Sequence, residues 1–197
     1  MRQRIHLVDL LGSKIGEVTI LPILKSIKEK TGAEIEFGGG IRNEKTIKSL
    51  LLIGVDRIII GSMAVKEKQL FESLLQSYEP SSFIISADVN NKKIAVHGWT
   101  ETTSVSLNEH IDYCISLGIE QFLVTDIAKD GMLQGTNTIL YSEIMKDYPE
   151  ISLIASGGIK DSKDIVALKR MNIYGTVVGK AIYENTIDLK ELNKLAK

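Results

Sequence analysis

Three aspartates stand where an apolar run gives out: Asp9 in HLVDL, Asp88 in FIISADV and Asp126 in FLVTDI; a fourth, Asp130, follows in the turn signal Lys129-Asp130-Gly131. A carboxylate in such surroundings is costly unless it faces a site or is well hydrogen-bonded, and a carboxyl against an apolar wall is suited to moving a proton. Asp88, closing an otherwise apolar strand, is the leading candidate for acid–base work. Thr125, one strand over, could orient a reacting group, although a β-branched residue in a strand needs no function. Asp9 and Asp126 read equally well as residues that bond neighbouring loops, and Asp130 as a turn former or a ligand holder. Glycines accompany them: Gly39 and Gly40 before Arg42, Gly61 before Ser62, Gly157 with Gly158, and Gly179 before Lys180. A glycine that ends a strand just before a helix lets backbone N–H groups approach an anion, and the helix N-terminus adds partial positive charge. Trp99, the only tryptophan, follows Gly98 on the segment beyond Asp88. It could stack on a planar ring, though a lone Trp is more often core or interface.

The elements that must hold these residues alternate strictly. Strand patterns fall at 4–10, 34–40, 57–62, 83–89, 121–127, 152–158 and 175–180, and helical patterns between them include 20–32, 43–54, 68–78, 106–118 and 161–172. Gly32, Gly54 and Gly118 sit where helices should end, and Asn43 and Asp161 where helices should begin. Strands apolar throughout and separated by helices imply a parallel sheet covered by helices. Residues 37–65 and 156–183 are one segment written twice, with Gly39, Gly40, Lys45, Ile47, Leu50 and Gly61 superposing on Gly157, Gly158, Lys163, Ile165, Leu168 and Gly179 at an offset of 118. LVDL around Asp9 likewise matches VTDI around Asp126, but FIISADV has no counterpart. The expected fold is therefore α/β, a TIM (βα)₈-type barrel of two repeated half-barrels with its first βα unit, about 40 residues, missing at the N-terminus. An open doubly wound sheet, complete as it stands, is the alternative.

Composition fits one domain over residues 1–197, with a formal charge of −1 and 44% hydrophobic residues. Nothing in that balance favours nucleic acid or an acidic membrane surface, no apolar run approaches a membrane span, and no signal peptide is evident. A single cysteine, Cys114, on the apolar phase of a helical pattern, reads as core and points to a reducing cytoplasm. His6, His97 and His110 have no metal-ligand spacing, so no metal is expected.

FGGGIR, SADV followed by the HGW tripeptide, LVTDIAKDG, and IASGGI with VVGKAIY occur in this order over essentially the whole chain. Together they resemble the histidine-biosynthesis isomerases that act on phosphoribosyl-formimino-aminoimidazole carboxamide ribotide (ProFAR). The resemblance implies a substrate with a phosphate at each end, an Amadori rearrangement of an aminoaldose to an aminoketose, and no cofactor or metal. It implies that Asp88 is the general acid, that Thr125 and Asp130 hold the ribose, and that Trp99 packs on the substrate. Gly39, Gly40, Arg42, Gly61 and Ser62 would cradle one phosphate; Gly157, Gly158, Gly179 and Lys180 would cradle the other. In that family the base is an aspartate ending the first strand, in a motif resembling PAID, which has no equivalent here. Little isomerase activity is therefore expected of this polypeptide alone, since loss of a base costs about 10² to 10⁴ in rate.

Other readings stay open. The cyclase subunit of imidazole glycerol phosphate synthase shares the doubled glycine turns, but should carry an SMD-type sequence at Thr125-Asp126-Ile127 and a GG pair in place of Gly98-Trp99. A non-catalytic fragment could assemble with another chain through exposed sheet edges, whereas a complete barrel would be a monomer. A second activity in tryptophan synthesis is also compatible.

Overall fold

The computed structural model describes residues 4–195, and the sequence patterns account for most of its elements. The first half runs β1 (Arg4–Val8), α1 (Leu10–Ile15), α2 (Leu21–Thr31), β2 (Glu34–Gly38), α3 (Glu44–Ile53), β3 (Arg57–Ile60), α4 (Ser62–Lys66) and α5 (Lys68–Leu75). The remainder runs β4 (Phe83–Asn90), β5 (Lys93–Val96), β6 (Glu101–Ser106), α6 (Leu107–Ser116), β7 (Gln121–Asp126), α7 (Thr138–Asp147), β8 (Ser152–Ser156), α8 (Ser162–Arg170), β9 (Gly175–Thr176), α9 (Lys180–Tyr183) and α10 (Leu189–Leu195). Local chemistry sets the helix limits. Asn43 accepts the Thr46 N–H and Asp161 the Lys163 N–H to start α3 and α8, while Gly32 and Gly54, at φ 60° and 92°, close α2 and α3.

β1, β2, β3, β4, β7, β8 and β9 lie side by side in that order, every neighbouring pair parallel. The sheet curls strongly. Six inter-strand steps of about 4.8 Å would hold its two edges roughly 29 Å apart if it were flat. Instead the Arg4 guanidinium on β1 donates to the Tyr174 hydroxyl, immediately before β9, at 3.3 Å. Such curvature belongs to a (βα)₈-type barrel and argues against the open doubly wound alternative.

Alternation along the strands divides the apolar residues between two cores. Ile35, Phe37, Ile58, Ile60, Phe83, Ile85, Phe122 and Val124 join the helical residues Leu24, Ile47, Leu50, Phe71, Ile111 and Leu168 in one large cluster. Ile59, Ile84, Leu123 and Ile154, with Val177, form a smaller one on the concave face. Cys114 is fully buried in the outer core beside His110, and burial pushes its thiol up to about 12, so it is packing rather than a reactive group.

Two differences from the expected pattern bear on the site. The segment after β4 is not an irregular loop but an antiparallel hairpin, β5–β6, hung on the upper half of β4. The two-residue turn that joins β4 to β5, Asn91-Lys92, has φ 49° and 63°, the doubly left-handed turn that matches strand twist. The last strand also stops at Thr176 rather than running to 180, and Gly179 instead caps the short helix α9.

Candidate active site at the carboxyl ends of the strands

Alternation places Ser86 and Asp88 on the same face of β4 as Ile84, and so at the upper end of the concave core. Strand register sets Asp88 beside Thr125 of β7, and Thr125 beside Ser156 of β8. The Asp88 carboxyl accepts the Trp99 indole N–H at 2.9 Å, is approached by the Ser86 hydroxyl at 3.4 Å, and also bonds the buried Thr125 hydroxyl. Burial drives its pKa above the ordinary carboxylate value; bonds from Trp99, Thr125 and Ser86 oppose that rise, and the charge of Asp130 adds to it. Asp130 is itself raised by burial, against the pull of the Gly131 N–H. A carboxyl that keeps its proton to higher pH than usual is equipped to act as an acid.

The other two strand-end aspartates do different work. Asp9 accepts the Gly12 and Thr19 N–H groups at 2.7 and 2.6 Å and the Thr19 hydroxyl besides. Asp126 accepts the Ala128 N–H at 3.0 Å and the Asn137 amide at 2.7 Å. Both tie down the loop that follows their strand, as one of their two sequence readings had it.

The glycines separate into two kinds. Gly39, Gly40, Gly157 and Gly158 have φ of 104°, 74°, 94° and 82°, which disfavour any side chain. A Cβ on Gly39 would also lie 2.4 Å from the Asp9 carbonyl oxygen, and one on Gly157 2.8 Å from that of Asp126. On Gly40 and Gly158 it would meet Glu17 and Gly135 backbone at 2.5 Å. Close packing against the preceding loop is thus reason enough for these pairs, without any anion. Gly61 and Gly179 are different. They cap α4 and α9 with nearly identical backbone angles, φ −110° and ψ −99° against φ −109° and ψ −93°. A Cβ on Gly179 would meet nothing within 4 Å, and one on Gly61 only Ser86, at 3.8 Å and beyond. Open space lies before both short helices, with a cation near each. The Arg42 guanidinium reaches the Ser62 side of the first through His97, and the Lys180 ammonium, at the start of α9, donates to the Gly131 carbonyl at 2.8 Å.

The hairpin supplies the rest of the rim. Val96 pairs with Glu101, leaving residues 97–100 as its tip. From that tip Trp99, 44% exposed, reaches Asp88, while the His97 N–H donates to the Ser62 hydroxyl at 3.1 Å and Arg42 Nη2 donates to His97 Nδ1 at 3.4 Å. Asp88, Thr125 and Trp99 are therefore brought into direct contact, with Asp130 close enough to shift the acid. Ser86 and His97 were not singled out from sequence. The only signals for them are period-2 alternation from Asp88 and adjacency to Trp99.

A curled parallel sheet whose polar groups gather where its strands end defines a barrel-type α/β enzyme. Residues 1–188 match the histidine biosynthesis protein family model, and the chain belongs to that family. Among its relatives is the 1-(5-phosphoribosyl)-5-((5-phosphoribosylamino)methylideneamino)imidazole-4-carboxamide isomerase of Buchnera aphidicola subsp. Schizaphis graminum, 40% identical over 196 residues, 98% of this chain and 80% of that protein. Isomerases of the same name from Actinobacillus succinogenes and Lactococcus lactis are 41% and 40% identical, over 96% and 95% of this chain and 78% of each relative.

Proposed function

We propose that this chain serves the isomerisation for which its relatives are named, the rearrangement of the ProFAR aminoaldose to an aminoketose in histidine biosynthesis. Asp88 protonates the ribose ring oxygen and opens the ring, Thr125 and Asp130 hold the sugar, and Trp99 packs on the substrate. Gly39, Gly40, Arg42, Gly61 and Ser62 take one phosphate; Gly157, Gly158, Gly179 and Lys180 take the other. Fixing both ends of a long substrate leaves the reacting carbon little freedom, which is where much of the barrier reduction would arise. The observation that carries this reading is the raised carboxyl of Asp88, on the face where the strands end.

A duplicated half-barrel is part of the same reading. Its support is the matched backbone of Gly61 and Gly179, together with the parallel pressing of Asp9 on Gly39 and Asp126 on Gly157. Thr125-Asp126-Ile127 and Gly98-Trp99, with the relatives above, favour the isomerase over the cyclase subunit. The carboxylates of Asp9 and Asp126 are engaged in tying loops, so neither is free to be the base. The polypeptide of residues 1–197 tested by itself should then bind its substrate but turn it over slowly, and a first-strand segment ending in Asp, added in trans, should raise the rate. The reaction is placed in the cytoplasm, needs neither cofactor nor metal, and involves no nucleic acid or membrane.

An isomerase assay with that segment present tests the proposal. Asp88→Asn should lose about 10² to 10⁴ in rate while binding substrate within a few-fold of the parent. Wild-type turnover by the variant ends the acid assignment, and failure of the parent to bind ProFAR ends the substrate assignment. A second reading, association through the sheet edges, is favoured by exposed apolar residues beside them: Val8 and Leu10 at β1, and Tyr183 and Leu189 after β9, at 44, 73, 85 and 60% exposure. A monomeric mass in solution would remove it.

A further inference from the structure

Asp88 is engaged by three donors. The indole N–H occupies one oxygen of Asp88, and the Ser86 and Thr125 hydroxyls also engage the carboxyl. A sugar oxygen can take the place of the indole N–H at Oδ2 only once Trp99 has moved. What keeps Trp99 in place is the turn that carries it, where His97, Gly98 and Trp99 have φ of 53°, 62° and 72° in succession. Two non-glycine residues in the left-handed region cost roughly 1–2 kcal/mol each, so the turn depends on its contacts.

At its leading end those contacts include the Ser62 hydroxyl and the Arg42 guanidinium, with the Glu101 carboxylate 3.9 Å from His97 Nε2 and the Thr100 hydroxyl on the His97 carbonyl. The Ser62 bond is an ordinary one at 3.1 Å, whereas Arg42 is weakly engaged. The Arg42–His97 bond is long, at 3.4 Å, and the other partner of Arg42, Glu67, lies 3.9 Å away. A phosphate offers a planar guanidinium two short charge-assisted bonds and would outcompete both.

We infer that His97 is a positioning residue that links the anion cradle at Arg42 and Ser62 to Asp88: an arriving phosphate takes Arg42 from the His97 ring, and the turn lifts Trp99 off the acid. The link rests on the reading of Arg42 and Ser62 as a phosphate cradle. Binding at one end of the substrate thereby frees the proton donor in the middle, and the free enzyme keeps its acid covered.

Inorganic phosphate and the sole tryptophan provide the test. Phosphate is titrated into a Lys180→Ala background, which silences the second cradle, with ³¹P NMR reporting occupancy and Trp99 emission reporting the indole's surroundings. Emission should change saturably with the same midpoint as the ³¹P signal. His97→Ala should bind phosphate about 2- to 10-fold tighter, because a competing bond worth roughly 0.5–1.4 kcal/mol is gone. Its emission should already match the phosphate-bound form and respond no further. Arg42→Ala should lose both signals, and circular dichroism checks that each variant is folded. Phosphate binding with unchanged emission, or an undiminished emission response in His97→Ala, overturns the link while leaving the cradle intact. No phosphate binding in the Lys180→Ala protein overturns the cradle and the link together.

Discussion

Trp99→Phe isolates one bond to the acid. Phenylalanine keeps a ring of similar bulk but removes the N–H that donates to Asp88 Oδ2 at 2.9 Å. That bond favours the charged carboxylate, so its loss must raise the Asp88 pKa further above the ordinary value. A hydrogen bond to a charged group is worth roughly 1.5–3 kcal/mol when well buried. Trp99 is 44% exposed, and discounting for solvent leaves about 1 kcal/mol, a rise of roughly 0.5–1 pH unit. The assay is carboxyl ¹³C NMR of the ligand-free protein, with the Asp88 resonance assigned by its absence from Asp88→Asn. The alkaline limb of kcat/KM, which reports the free enzyme, should move upward by the same amount. The kcat limb should stay in place if the indole has already left the acid in the bound state. A midpoint that is unchanged, or that falls, refutes the idea that Trp99 restrains the acid.

Other outcomes follow from the same geometry. Because the folded-state pKa of Asp88 is raised, the cost of its burial appears as pH climbs through that pKa; Asp88→Asn should be more stable at pH 7 by about 1 kcal/mol, with the gain vanishing near pH 3 in denaturant melts. His110, buried and pushed down from 6.5 to about 4, stays neutral in the fold while the unfolded chain takes up a proton. Stability should thus be lost on acidification between those values, by about 3 kcal/mol in all, and His110→Leu should flatten that slope in melts at pH 7.5 and 5. Gly157→Ala adds a Cβ 2.8 Å from a carbonyl oxygen at φ 94°, and should cost roughly 2–4 kcal/mol in urea unfolding, whereas Gly32→Ala, at φ 60° with nothing within 4 Å, should cost only about 1. Equal losses would show that packing on Asp126 is not what Gly157 serves.

The layered part of the fold was readable because its signals are local. Apolar strand runs, Asn43 and Asp161 as caps, and Gly32 and Gly54 as stops each act within a few residues. Asp88 was readable for a similar reason, since a carboxylate closing an apolar strand is conspicuous. The strands β5 and β6 were missed because the turn that leads from β4 into β5, Asn91-Lys92, lacks the glycine that normally advertises two left-handed residues, and because β6 (ETTSVS) is polar. The contacts of His97 with Arg42 and Ser62 span 55 and 35 residues and depend on that hairpin, so nothing local foretells them. The glycine pairs were found, but the backbone packing that requires them was not. Their closeness to Asp9 and Asp126 is a tertiary fact.

The most direct measurement is ³¹P NMR of ProFAR bound to Asp88→Asn, the variant in which the substrate should persist unconverted. Both phosphorus resonances should shift on binding, with Arg42→Ala releasing one and Lys180→Ala the other. A single perturbed phosphorus, or substrate consumed by Asp88→Asn at the parent rate, would contradict a cleft that holds both ends of the ribotide around this acid.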